Sequence, residues 1–464
     1  MHYKNHEVEM KKVSFCGISG SGMSALAQVL NFRGYEVCGS DRSFDQGKDA
    51  QQRQALENVG IKIFKQDGSA VEKDTECLYV STAVEDSIPD VKRAKELGVN
   101  IRKRSDLLAD IFNSAKYGVA VGGTSGKTTV TAMLGFVLDK LNLKPLMVNG
   151  GLLKNYANRD GIPNVILNDN SEVCVVEADE SDGSIEKYTP YIAVVNNITI
   201  DHKPIDELQD LFSNFVSKAV KGAVINLDCQ NSEVLLNKNA NVITFSIENP
   251  SANIYISEIS PLNNGIEYVL NNKKHTLKLT GRFNVANAAC VLSVCQMLGI
   301  DTDVAAGILE GFLGTKRRLD IIGTKNNIAV IDDFAHNPDK VAGSMSALRD
   351  YDGRLLLMFQ PHGFSPMRMM GRQIMESFAK FMNKEDMLFI PEIFYAGGSV
   401  TRDISSADLV EYAKTLGINA EFYQTREEIK HRLIHIAKSG DRIVIMGARD
   451  NSLPDFCADI LKGL

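Results

Sequence analysis

The residues best placed by type and spacing to do chemistry lie between Val119 and Leu134, in the run VAVGGTSGKTTVTAML. The apolar start reads as a strand, Gly123, Thr124, Ser125 and Gly126 as a tight loop, and the residues from Lys127 onward as a helix. Glycines let a backbone wrap so that its N–H groups point inward at phosphate oxygens, and the helix that follows adds the positive end of its dipole. In such a loop Lys127 reaches the terminal phosphates, and Thr128 or Thr129 offers a hydroxyl to Mg²⁺. Counted from Gly123 the spacing is shorter than the usual G-x-x-x-x-G-K-[ST], and Gly122 lies one step closer to it. The chemistry implied is the binding of a nucleoside triphosphate.

A phosphate loop needs a metal partner, and EVCVVEADESDG supplies carboxylates at the end of an apolar strand: Glu177, Asp179, Glu180 and Asp182. That is the end of a strand where α/β sheets bind ligands. Glu177 follows the apolar run at once and is the expected holder of Mg²⁺. Acidic residues after a strand are ordinarily a solvated turn; a neighbouring phosphate loop reverses that reading. The next apolar strand, YIAVVNNIT, leads to Asn197, Asp201 and His202. A neutral histidine ligates metals and Asp201 would orient it, although Mg²⁺ prefers oxygen.

A second glycine loop, VSFCGISGSGMSALAQVL, places Gly17, Gly20 and Gly22 between a strand and a helix. Ser19 stands where a dinucleotide fingerprint has its second glycine, and Asp41 in YEVCGSD is the acidic residue further on. The same turn suits any diphosphate, whether of NAD or of a sugar nucleotide.

These loops need a scaffold, and the chain repeats strand, turn and amphipathic helix throughout. KKVSFCG, YEVCGSD and ECLYVSTAV open the series; YGVAVGG, EVCVVEAD, YIAVVNNIT and KGAVINLD form a second; NNIAVIDDF, GRLLLMFQPH, DMLFIPEI and DRIVIMGA a third. Such alternation predicts βαβ units and mainly parallel sheets, and three restarts predict three α/β domains. The joins fall near residues 113–117 and after GFLGTKRRLD. The length of 464 residues suits that count. A net charge of −7 and no block of Lys or Arg argue against a nucleic-acid partner. No apolar window is long enough for a membrane span, and the first residues, MHYKNHEVEMKK, lack the apolar core of a secretory signal. A cytoplasmic location is expected. The eight cysteines form no C-x-x-C pair and read as buried thiols.

Ordered blocks along nearly the whole chain resemble the Mur ligases, which build the peptide stem of bacterial peptidoglycan. GISGSGMSALA resembles that family's GIGGIGMSGLA, GGTSGKTTVTAML its GTHGKTTTTAM, and EADESDGS matches letter for letter. GRFNVANAACV, LGTKRRLDIIG, VIDDFAHNPDKV and MFQPHGFSPMR follow GRHNVLNALAA, KRRFEVLG, VIDDYAHHPTEI and FQPHRYSRTR in the same order. The resemblance implies an α/β fold of three domains: a Rossmann-like one for the UDP-sugar over 1–114, a P-loop ATPase over 115–314, and a Rossmann-like one for the amino acid over 315–464. It implies ATP and Mg²⁺, with Lys127, Glu177 and His202 at the catalytic and metal site together with Thr128. Asn284 and Asn287 would reach the adenine, Arg318 and Asp333 would approach the nucleotide, and His336 would lie near the reacting groups. Gly20, Gly22, Ser40 and Asp41 would border the UDP moiety, and His362 and Arg368 the second substrate. The implied reaction activates the carboxylate of UDP-N-acetylmuramate as an acyl phosphate and joins it to L-alanine.

The departures fall mostly on the third domain. Gly363 and Pro366 replace two arginines of FQPHRYSRTR, Phe283 stands for a histidine, and GARDNSLPDF differs from the usual GAGDI ending. Arginines match carboxylates bidentately, so these changes bear on which amine is accepted. A related ligase with another amine substrate, such as a murein-tripeptide recycling enzyme, is the alternative within the family. A nicotinamide oxidoreductase would leave Lys127 and Glu177 without a purpose, and a non-catalytic nucleotide-binding protein would release no phosphate. Lys218 reads as a solvated helix position.

Overall fold

A computed structural model of the chain describes residues 11–81, 84–181, 183–200, 203–262, 265–395 and 401–464. The chain divides into two compact units, Met1–Tyr255 with Asn287–Phe312, and Ile256–Ala286 with Leu313–Leu464. Among the described residues no helix is long and apolar enough to cross a membrane. The eight cysteines are unpaired, and all but Cys229 are buried, as small hydrophobes in a core are.

The first unit begins with a five-stranded, all-parallel sheet. Its strands run, in spatial order, Lys62–Phe64, Glu36–Ser40, Lys12–Cys16, Thr75–Val80 and Asn100–Lys103. Val13, Phe15 and Cys16 are buried because both faces of this strand are covered by packed elements. The helix Ser21–Phe32 turns Met23, Leu26, Ala27 and Leu30 inward at helical spacing and stops before Gly34, whose φ of 86° continues no right-handed helix. Sequence order reverses between Lys12–Cys16 and Thr75–Val80. The crevice outside the carboxyl ends of such a pair is where doubly wound sheets bind ligands, and the loop Gly17–Gly20 leaves from there.

The same unit contains an eight-stranded sheet in the order Ile254–Tyr255, Val242–Ser246, Gly222–Asn226, Ile192–Val195, Tyr117–Gly122, Val173–Glu177, Leu146–Val148 and Val165–Ile166. Only the final pair is antiparallel. Tyr117–Gly122 therefore lies between the strand that ends in Glu177 and the one that leads to Asn196 and Asn197. The helix Ile205–Ser217 buries Leu208, Leu211, Phe212, Phe215 and Val216 along one face and carries Asp206 and Glu207 at its positive end.

The second unit holds a small antiparallel sheet, Ser257–Leu262, Gly265–Leu270 and Lys273–Leu277, which the expectation of mainly parallel sheets does not include. Its larger sheet has six strands in the order Asp320–Lys325, Ile328–Asp333, Arg442–Gly447, Leu355–Gln360, Met387–Pro391 and Ala420–Tyr423. All neighbours are parallel except the first pair. Leu355, Leu357 and Phe359 face one core, with Val341 and Met345 of the helix Pro338–Arg349 and Ile374 and Phe378 of the helix Phe364–Phe381. Leu356 and Met358 face the other, with Ile429, Leu433, Leu453 and Ile460. The run LLLMFQ is apolar throughout because a parallel strand is buried on both faces.

Candidate functional site

Tyr117–Gly122 leads into the glycine loop, and the helix Lys127–Lys140 starts at once after it. Gly123 and Gly126 have φ of 122° and 85°, values that a side chain disfavours. Space forbids a side chain as well. A Cβ at Gly126 would lie 2.3 Å from Asn196 Nδ2 and 2.6 Å from Asn287 Oδ1. The loop is held from below by asparagines: Ser125 N–H donates to Asn197 Oδ1 at 2.8 Å, and Asn196 Nδ2 donates to Ser125 O at 2.9 Å and to Asn287 Oδ1 at 3.0 Å. Thr124 N–H donates to Asn197 O at 3.0 Å, and Thr124 Oγ1 donates to Thr199 O at 3.1 Å. Asn287 is thus tied into the scaffold of the loop. Asn196 is the residue sequence reasoning passed over; its signal was the Asn-Asn pair closing an apolar strand.

Lys127 Nζ donates to Gly123 O and to Glu180 Oε2, both at 2.7 Å. Thr128 Oγ1 donates to Glu177 Oε2 at 3.0 Å, and Gly150 N–H donates to Glu177 Oε1. Val121 and Glu177 are register partners on adjacent parallel strands, which brings the carboxylate to the edge of the loop. Thr129 is buried one residue further along the helix. Burial opposes the charge on Asp179, yet Lys127 and the hydrogen bonds from Ser181 outweigh it and hold this carboxyl below its usual range. His202 and Asp201 lie outside the described residues, as does Asp182. The hydroxyl of Thr128 beside the carboxylate of Glu177 is a set of hard oxygen donors and fits Mg²⁺. The arrangement offers a cation, backbone amides and a helix N-terminus to anionic oxygens.

In the five-stranded part, Asp41 closes the other glycine loop. Its two oxygens accept from Ser19 N–H and Ser43 N–H, each at 2.9 Å. Gly20 precedes the helix Ser21–Phe32, and a Cβ at Gly22 would lie 3.0 Å from Arg104 Cδ and Nη1, so Gly22 lets that arginine lie close over the loop. Ser40 is buried and donates to Asp90, whose carboxyl burial pushes above its usual range against the pull of Ser40 and Gly68.

In the second unit, Asp333 ends the strand Ile328–Asp333, where it accepts from Ser344 Oγ at 2.5 Å and from Leu319 N–H at 3.1 Å. Arg318 lies over the ring of Phe334, 5.1 Å from its centroid. The rings of His336 and His362 meet edge to face at 5.4 Å, with His336 Nδ1 2.7 Å from Phe334 O. Burial drives both imidazoles toward the neutral form: His336 to about 3, helped by Lys340, and His362 to about 4, helped by Arg449. Arg368 donates to Asp403 and to Thr401 O. Asn284 Nδ2 donates to Thr280 O at 2.7 Å at the start of the helix Arg282–Met297.

Fold and loop together define a three-domain α/β protein with a P-loop. Three family models match in succession: the Mur ligase family catalytic domain over residues 12–116, the Mur ligase middle domain over 121–295 and the Mur ligase glutamate ligase domain over 317–449. The chain is 33% identical over 95% of its length, and 95% of the relative's, to a UDP-N-acetylmuramate–L-alanine ligase of Sulfurihydrogenibium sp.. It is 32% identical to the enzyme of that name from Dictyoglomus turgidum over 94% of each chain. Among solved structures, a UDP-N-acetylmuramate-alanine ligase from Thermotoga maritima superposes with a TM-score of 0.80 over 98% of each chain at 23% identity. A murein peptide ligase from Psychrobacter arcticus gives 0.68, again over 98% of each chain, at 21%. The chain belongs to the Mur ligase family and is an ATP-dependent amide ligase.

Proposed function

We propose that this ligase joins the carboxylate of UDP-N-acetylmuramate to L-alanine, with ATP and Mg²⁺ at the loop Gly123–Thr129, in peptidoglycan precursor synthesis. The observation that carries the reading is the position of Lys127, whose ammonium is fixed at the mouth of the loop by Gly123 O and Glu180. Phosphate oxygens entering the cradle meet that cation and the loop's amides. Thr128 and Glu177 would hold Mg²⁺, which when bound neutralises charge on the phosphates.

The steps balance without a further reactant. A carboxylate oxygen of the sugar acid attacks the γ-phosphorus and ADP leaves. The uncharged amine nitrogen then attacks the acyl carbon, phosphate departs carrying that oxygen, and the nitrogen's surplus proton passes to the departing phosphate or to water. Asp41, Gly20 and Gly22 shape the loop proposed to border the UDP diphosphate. Arg318 and Asp333 are proposed to serve the nucleotide, and His336, His362 and Arg368 the amine substrate. The division into 1–114, 115–314 and 315–464 is likewise part of this proposal, as is a cytoplasmic site of action.

Phosphate release measured with ATP and UDP-N-acetylmuramate, while the amine is varied, tests the reading. Strict dependence on L-alanine is expected. The ion pair between Arg368 and Asp403 favours one second reading, a different amine, because it occupies an arginine expected to meet that substrate. Dependence on another amine, such as a murein tripeptide, would decide for it.

A further inference from the structure

Three adjacent parallel strands of the second unit end together. Asp333 pairs with Met446, and Gly447 with Gln360. A few residues beyond these ends come His336, Arg449 and His362, with Arg449 on the central strand's extension. Their position is the carboxyl edge of a parallel sheet, the usual place for a ligand crevice.

Arg449 has a φ of 67°, a conformation that ordinarily calls for glycine. Strain of this kind persists where surrounding structure imposes it, and here the next residues do so. Asp450 is buried; its Oδ1 accepts from Ser452 N–H at 2.9 Å and from Ser452 Oγ at 2.6 Å, and its Oδ2 pairs with Arg426 at 2.9 Å. These contacts tie the turn down, and it presents an exposed arginine.

The other arginines of this edge are occupied. Arg368 is paired with Asp403, Arg402 lies over Phe364 and Tyr395, and Arg317 sits against Asp332 and donates to Gly447 O at 2.8 Å. Arg449 makes no ion pair with another described residue, and its charge reaches His362. Position 363 offers no alternative: Gly363 has a φ of 69°, and a Cβ there would lie 3.2 Å from Pro366 Cδ.

We propose that Arg449 is the specificity-determining residue that receives the carboxylate of the incoming amino acid, beside the His336–His362 pair. The proposal rests on the ligase reading above and names the chemistry of its amine substrate: an α-amino acid with a free carboxylate, gripped by a planar guanidinium. The His336 and His362 rings, which meet edge to face at 5.4 Å, lie on the strand extensions to either side of it.

The test is Arg449→Gly, which suits the left-handed backbone and keeps the fold, so its Tm is at or above that of the parent. Kinetics with L-alanine and with L-alaninamide, which lacks the carboxylate, give the first readout. The variant is expected to raise KM for L-alanine about 30-fold or more, the scale of a lost charge-assisted contact, while KM for ATP and for the amide stays put. An unchanged L-alanine KM and an intact preference for acid over amide would overturn the proposal and leave the ligase reading standing. The second readout needs no turnover: L-alanine should shift the His362 imidazole resonances in the parent and not in Arg449→Gly. An Arg449-dependent shift in a protein that releases no phosphate with any amine supports the carboxylate site and sinks the ligase reading instead.

Discussion

The Nζ of Lys127 lies 2.7 Å from Oε2 of Glu180, and both side chains are largely shielded from water. This pair holds the lysine ready at the loop while giving its charge a partner. Under the proposed function, phosphate oxygens entering the loop would compete with Glu180 for the same ammonium. A buried pair that loses one charge leaves the other uncompensated.

Glu180→Gln is therefore expected to destabilise the free protein by about 1–3 kcal/mol and to enlarge the rise in Tm given by an ATP analogue with Mg²⁺. Thermal unfolding with and without the analogue measures both. An equal ligand-induced rise in parent and variant would show that Glu180 and phosphate do not compete.

Gly126 and Gly34 separate backbone strain from the fit of the cradle. Both have φ near 85°, at 85° and 86°, but a Cβ at Gly34 meets nothing within 4 Å whereas one at Gly126 would strike Asn196 and Asn287. Gly34→Ala should cost about 1 kcal/mol and leave turnover intact. Gly126→Ala should displace the loop and cut ATP-dependent turnover by more than about 100-fold, an effect on the scale of lost phosphate positioning. Comparable turnover in the two variants would contradict the steric account.

Gln28 carries a polar latch within the first unit. Its Nε2 donates to Asn164 Oδ1 at 3.0 Å, its Oε1 accepts from Ile162 N–H at 2.8 Å, and Asn164 Nδ2 donates to Ser21 O at 2.8 Å. Buried polar networks cost most when partly broken. Asn164→Leu and Gln28→Leu should each lose about 1–3 kcal/mol in urea unfolding, and the double change should lose less than the sum of the two. Strict additivity of the two single changes would argue against a coupled network.

The second unit combines opposed titrations. Burial pushes Asp332 up to about 7 although Arg317 pulls it down, so its contribution is full below the unfolded value of 3.8 and is lost as pH rises toward 7. His336 and His362 are depressed to about 3 and about 4, so their contribution is full above 6.5 and is lost as pH falls. Between pH 4 and 6.5 Asp332 offsets part of the acid loss. Asp332→Asn should steepen that loss by up to about 1.4 kcal/mol per pH unit. Unfolding midpoints across this range check it; parallel pH profiles in parent and variant would contradict the titration of Asp332.

Much of this was legible in the chain. Lys127, Thr128 and Glu177 stand at fixed offsets from apolar strands, and a strand buried on both faces is readable as an unbroken apolar run such as LLLMFQ. The loop of Gly17–Gly20 was legible for the same reason. The small antiparallel sheet was not, because its strands mix charged and apolar residues, as in KKHTL, and draw their pattern from tertiary packing. Glu180 was legible only as one of four carboxylates after a strand and Asn196 only as half of an Asn-Asn pair; their bonds to Lys127 and Ser125 join segments distant in sequence and leave no local spacing to read. Arg449 shows as an odd residue in GARDNS, but only its φ and its neighbours give that oddity a chemical sense.

The most direct measurement on the central claim is phosphate release by the intact protein and by Lys127→Ala, with ATP, Mg²⁺, UDP-N-acetylmuramate and L-alanine all supplied. Removing the cation from the cradle is expected to lower the rate by about 1,000-fold or more while circular dichroism and Tm show a folded chain. Release at the parental rate from folded Lys127→Ala would contradict the account.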